Sequence, residues 1–249
     1  MLSVWCSTIG SVVVVSLASF IGIVALSKDA ARVQRAIFIM VSLAVGAMFG
    51  DTFIHLLPEA FKSDGSLATP AYILAGILVF FLLEKFLLWR HEHIPHYGAC
   101  VHPVGYVSLV ADGLHNFIDG LLIGSSYLVS LPVGLATTIA VLLHEIPQEI
   151  GDFGVLLHAG FTTAKALWFN FFAASLAIVG AITALIAGEL VAAFPKAILP
   201  LTAGGFIYLA GSDLVPELHK EREPVKSLIQ MLAIGVGIGL MLLVKLFGS

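Results

Sequence analysis

The sequence predicts an all-α, polytopic membrane bundle of eight transmembrane helices, and three observations predict it. Of its 249 residues, 59% are hydrophobic and only 11% charged, with a mean hydropathy of +1.04. A soluble domain carries about a quarter charged residues. Eight apolar runs each approach the roughly 20 residues that a span needs. The few Lys and Arg residues sit between these runs or at their ends.

The runs cover 6–27, 36–58, 70–90, 104–129, 132–157, 164–189, 197–218 and 226–247. Their short connections make 1–249 a single transmembrane domain. Before the first run, Met1 to Thr8 holds no Lys or Arg. The basic region of a signal peptide is missing, so the run reads as a retained helix. The second run carries Asp51 and His55, one helical turn apart, which would line an entrance. It ends in His55-Leu-Leu-Pro58-Glu59. The third leads into a loop, about 91–103, with His91, His93, His96, Cys100 and His102. That tract is either a solvated polar loop or a place of transient metal capture.

The fourth and fifth runs form a hairpin across Ser130-Leu131-Pro132. The sixth holds Asn170 and Ser175, which either add a ligand or bond between helices. The seventh ends in Asp213-Leu-Val-Pro216-Glu217, which repeats the end of the second at an offset of 158 residues. The same offset pairs Gly46 with Gly204. The two spans would cross in opposite senses, as in an inverted repeat with a binding site at the midplane. The bland reading is that Leu-x-Pro-Glu simply ends two helices. In the eighth run, Gly235, Gly237 and Gly239 form a packing surface. No strand precedes them, so they are no nucleotide loop.

Nine Lys and Arg residues fall on the face holding loops one-two, three-four, five-six and seven-eight, against three on the other. The richer face is cytoplasmic by the positive-inside rule, so both termini lie outside. Cys6 and Cys100 then lie on opposite sides. The net charge of -4 comes without a basic patch, and nucleic acid is not an expected partner. The lipid bilayer is.

The chemistry gathers in the hairpin. Asp112, His115, Asn116 and Asp119 follow i, i+3, i+4, i+7 and share one helical stripe. His144, Glu145, Gln148, Glu149 and Asp152 form a second. His115 lies 15 residues before Ser130 and His144 lies 14 after it, so the two meet at one depth. Five carboxylates here have no Lys or Arg anywhere from His91 to Ala164. Intramembrane charge is costly and marks an ion pathway by default. The simplest countercharge is a metal cation. Mixed imidazole, carboxylate and amide ligands suit zinc, iron or manganese better than calcium. Pro147 frees the carbonyl of Leu143, and Gly113, Gly120 and Gly124 let helices approach closely. Two other readings stand beside metal transport. One is a buried polar network that only holds helices together. The other is an intramembrane zinc-dependent protease or hydrolase using His144 and Glu145, since His144-Glu145 begins like the H-E-x-x-H motif. Gln148 stands where its second His would be.

These residues together resemble the ZIP (Zrt/Irt-like) divalent metal transporters. The resemblance rests on His115-Asn116-Phe-Ile-Asp119-Gly120, His144-Glu145-Ile-Pro147-Gln148-Glu149 and Gly151-Asp152-Phe153. The end of the second run and the histidine loop extend it over nearly the whole chain. It is nearest the subfamily whose fifth span reads H-E-x-P-H-E. The resemblance implies spans grouped as three, two and three, with helices 1–3 and 6–8 as inverted repeats. It implies a two-metal site in the central pair. His115, Asp119, His144 and Gln148 would face one ion, and Asn116, Asp119 and Glu145 the other. It implies transport toward the cytoplasm by an elevator-like or rocking exchange, often in a homodimer, in a plasma or bacterial inner membrane. Zn2+ is the expected substrate, with Fe2+, Mn2+ and Cd2+ as competitors. No catalytic cofactor and no enzymatic activity are implied. Glu149, Asp152, Asp112, Asp51, His55 and Asn170 would be further metal or pathway residues. Gln148 replaces the subfamily's usual His, a weaker and neutral ligand.

Overall fold

The computed structural model describes residues 2–21, 30–92, 103–190 and 194–247. They form eight helical stretches, with no strand among the described residues. Helix α1 is Leu2–Leu17, extended by a tighter turn at Ala18–Phe20. Helix α2 runs from Ala30–Asp51 through Thr52–Leu56 to Leu57–Ser63. Then come α3 (Ala68–Glu92), α4 (Pro103–Val129) and α5 (Leu131–His158). Helix α6 has two segments, Thr163–Ala174 and Leu176–Leu190. Helix α7 runs from Phe194–Tyr208 through Leu209–Leu214 to Val215–Leu218, and α8 is Pro224–Phe247. By length and composition, α1, α2, α6, α7 and α8 are each apolar enough to cross a membrane.

Two helices slip by one residue in the same way. Pro58 has no N–H to return to Ile54. The Leu57 N–H instead donates to Thr52 O, five residues back, and Thr52–Leu56 is a π-helical turn. In α7 the Val215 N–H donates to Ala210 O ahead of Pro216, and Leu209–Leu214 is a second π turn. Both pairs are related by the same offset of 158 residues. Such turns cluster at functional sites.

Packing divides the helices. Helix α4 lies on α6, with α1 against α4, α5 and α6; α2 lies on α8, and α3 on α7. The main seam between the groups is α2 against α5. Glycine sets the closest approaches. A Cβ on Gly120 would sit 1.9 Å from Ala177 O, and one on Gly180 would sit 1.9 Å from Phe117 O. In α8 only Gly237 makes such a contact; Gly235 and Gly239 face open space.

The hairpin has defined ends. Ser130, the sole non-helical residue between α4 and α5, caps α5 by accepting from the Val133 N–H at 3.4 Å. Gly160, at φ 93°, ends α5 in a left-handed turn. Phe161 N–H donates to Leu156 O and Gly160 N–H to Leu157 O, the Schellman pattern. Phe161 and Leu156 then share a small apolar cluster.

The seam carries a buried polar chain. Thr137 Oγ1 on α5 donates to Asp51 Oδ2 on α2 at 2.8 Å and lies 3.0 Å from Ser126 Oγ on α4. A hydroxyl has one proton, so Ser126 donates to Thr137. We expect Thr137→Val to cost about 1–3 kcal/mol, because it strands a buried carboxylate oxygen. Chemical denaturation in detergent measures it.

Candidate metal centre

Helices α4 and α5 are antiparallel neighbours, and their polar stripes meet. His115 and Asp119 are one turn apart on α4; His144 and Glu145 are adjacent on α5. The two Nε2 atoms are 3.4 Å apart. Asp119 Oδ2 lies 3.2 Å from His144 Nε2 and 3.8 Å from His115 Nε2. Glu145 Oε1 lies 3.3 Å from His115 Nε2 and 3.5 Å from His144 Nε2. One ligand atom from each of the four falls within 4.8 Å of the others. Asp119, His144 and Glu145 are buried, and His115 is partly exposed.

The tetrad could hold a divalent cation. Both Asp119 oxygens and both Glu145 oxygens are buried with no hydrogen-bond donor. His144 Nδ1 lies 3.2 Å from Ala140 O and donates to it. That bond fixes the tautomer and leaves Nε2 as a lone-pair donor. With both imidazoles neutral, as metal ligation requires, the tetrad would carry a charge of about -2, which one divalent ion balances. Zinc accepts this ligand set and a compact four-coordinate geometry.

The remaining predicted residues fall into groups. Glu145 joins the same tetrad as His115 and His144, which the resemblance had divided between two ions. Asn116 is fully buried and donates through Nδ2 to Asp112 Oδ1 at 2.8 Å. Gln148 is half-buried one turn beyond His144. Glu149 is buried and accepts from Asn170 of α6, and Asp152 accepts from Ser108 at 3.1 Å. Asn170 thus does bond between helices. Ser175 serves α6 alone, donating to Phe171 O at the break between the two segments. Asp51 and His55 are fully buried rather than open to a vestibule, Asp51 accepting from Thr137 and lying 3.3 Å from His55 Nδ1. His93, His96, Cys100 and His102 lie outside the described residues, and only the backbone of His91 is described. Ser108 was missed in the sequence, although it stands one turn before Asp112 on the same stripe. Thr137 and Ser126 gave no signal there.

The family profile "ZIP Zinc transporter" matches residues 2–104 and 91–245. "Zinc transporter ZIP13" of Pongo abelii is 37% identical, over 84% of this chain and 66% of its own length. That of Homo sapiens is 34% identical, over 84% of this chain and 70% of its own. "Zinc transporter SLC39A7" of Rattus norvegicus is 28% identical, over 97% of this chain and 72% of its own. The chain therefore spans about two thirds of the length of these relatives.

Proposed function

The chain belongs to the ZIP zinc transporter family, a family of transporters rather than enzymes, and from that premise we propose that it moves a divalent metal, zinc first, toward the cytoplasm through the tetrad between α4 and α5. It is an integral, multi-pass membrane protein. The observation that carries the proposal is the buried tetrad, four convergent ligand atoms with no cation from Lys or Arg on either helix. The protease reading finds no support among relatives named as zinc transporters.

In this reading all eight helices span the membrane as three, two and three, with both termini outside. The twin π turns support the inverted repeat, since the same hydrogen bond recurs at the same offset. So does the packing of α3 on α7 and α8 on α2, the exchange a two-fold axis would make. Metal enters past Asp51 and His55, with Asp51 first parting from Thr137. It is bound by His115, Asp119, His144 and Glu145, with Asn116 and Gln148 as neutral ligands to the same or a second ion. It leaves by way of the loop histidines His91, His93, His96 and His102. An elevator-like exchange accords with the division of the helices into two groups, and the reading includes a homodimer.

The experiment is zinc uptake into proteoliposomes, with Fe2+, Mn2+ and Cd2+ as competitors. Glu145→Ala should bring uptake to the empty-vesicle background; uptake equal to the parent's would refute the site. Gln148→His should lower both KM and maximal rate, because an imidazole holds zinc more tightly than an amide and releases it more slowly.

A further inference from the structure

The α4–α5 hairpin repeats within itself. A shift of 29 residues carries His115 of α4 onto His144 of α5. The same shift carries Gly105 onto Gly134 and Ser108 onto Thr137. A Cβ on Gly105 would meet the Phe161 ring, and one on Gly134 would meet the Tyr127 ring. Around the hairpin, the offset of 158 residues carries α2 onto α7. Close contacts follow that offset too. A Cβ on Gly46 of α2 would sit 2.1 Å from Ile234 O of α8, and one on Gly204 of α7 would sit 2.0 Å from Ile73 O of α3. The α2–α8 and α3–α7 pairs are thus clasped alike, backbone against backbone.

The seams between these pairs and the hairpin are not alike. At the outer end of the hairpin, the end that holds Ser130, α2 lies on α5 along Ala30–Asp51 and through its π turn. There Thr137 donates to Asp51. The repeat mates of those two residues are Ser108 and Leu209. Ser108 instead bonds within the hairpin, to Asp152, and α7 lies on α4 through Phe194–Tyr208, ahead of its π turn. Burial differs in the same sense, mate against mate. Thr138 and Ala140 of α5 are buried and Ile139 is half-buried. On α4, Leu109 and Ala111 are only half-buried and Val110 is 62% exposed. Leu56 in the π turn of α2 is fully buried, whereas its mate Leu214 in the π turn of α7 is half-buried. The outer seam is closed and the inner one is loose. Inverted repeats exchange two such arrangements by moving as bodies.

We propose that the strip Ser108–Ala111 of α4 is a docking face for the π turn of α7, and that the two close on each other when Thr137 parts from Asp51. Ser108 then meets Leu209 as Thr137 now meets Asp51, and Val110 and Leu214 lose their exposure together. Leu209 stands where its mate carries a carboxylate, so the inner closure lacks the charged hydrogen bond of the outer one. The outer-closed form is therefore the favoured one at rest. This inference rests on the inverted-repeat reading of the proposed function and adds to it the residues that close the inner seam.

Cysteine pairs in the full chain, with Cys6→Ser and Cys100→Ser, test it in proteoliposomes with a short bifunctional thiol reagent. The outer pair, Asp51→Cys with Thr137→Cys, should link readily at rest. The inner pair, Ser108→Cys with Leu209→Cys, should link about tenfold more slowly or less, because the inner-closed form is the minor one. Zinc added outside should speed the inner link, and the linked protein should take up no zinc above the empty-vesicle background. Val110→Cys with Leu214→Cys, both at partly exposed positions, should behave in the same way and serves if the core substitution at 209 prevents folding. Inner pairs that link as fast as the outer pair, with or without zinc, overturn the proposal, since the two strips then already touch. So does the absence of a link in both inner pairs while the same vesicles take up zinc. If the parent takes up no zinc and zinc still speeds the inner link, the closure stands and the transport reading fails.

Discussion

Asp119→Asn should reduce zinc uptake at least 100-fold while leaving the protein folded. Asp119 faces both imidazoles, and neither of its oxygens has a donor. Loss of a partner to a metal ligand already costs roughly 10–100-fold in affinity or activity, so loss of a charged ligand costs no less. The amide is nearly isosteric, so packing is kept. The signature is therefore a split. At a zinc concentration 100 times the parent's Kd, zinc should stabilise the parent by about 2.7 kcal/mol and the variant by far less. Thermal melting with and without zinc, beside uptake of radioactive zinc, measures both halves. An Asp119→Asn protein that transports at the parental rate would remove this residue from the site.

Gly120→Val should disrupt folding outright. The Cβ of any residue at 120 meets a backbone carbonyl of α6 at 1.9 Å, and backbone does not give as a side chain does. Overpacking costs about 1–3 kcal/mol where side chains can adjust; here the whole of α4 must leave α6. The control is Gly151→Ala on α5, where an added Cβ meets nothing within 4 Å. Size-exclusion profiles and yields should collapse for the first and be unchanged for the second.

These effects differ in how visible they are in the sequence. The helical stretches are legible because long apolar runs show in local hydropathy, and among the described residues five of them are apolar enough to cross a membrane. The depth of the two histidines is legible because residues can be counted from Ser130. The place of Glu145 is not, since adjacent residues on a helix point about 100° apart. Only the position of α4 across both shows that His144 and Glu145 reach one point. The π turns are hidden for a different reason. A slip in the hydrogen-bond ladder changes no hydrophobic residue, and Pro58 and Pro216 read equally well as helix ends. The bond from Thr137 to Asp51 joins two helices far apart in the chain, a contact without any local mark. Fold class follows from local pattern, whereas the exact ligand set follows from which stripe of one helix meets which stripe of another.

Among the described residues, the helices apolar enough to cross a membrane are α1, α2, α6, α7 and α8. The two that carry the tetrad, α4 and α5, are not among them. Translocon-based insertion penalises an acid at a helix centre by about 2.5–3.5 kcal/mol, and the pair holds five. During synthesis α4 and α5 would therefore enter lipid poorly one at a time. The single-residue connection at Ser130 lets them enter as a closed hairpin, polar stripes turned inward. The close fit of α4 on α6 then waits on a later segment of the chain. Insertion is therefore expected to depend on the closing of the α4–α5 hairpin, and cellular zinc during synthesis should raise the yield of inserted protein.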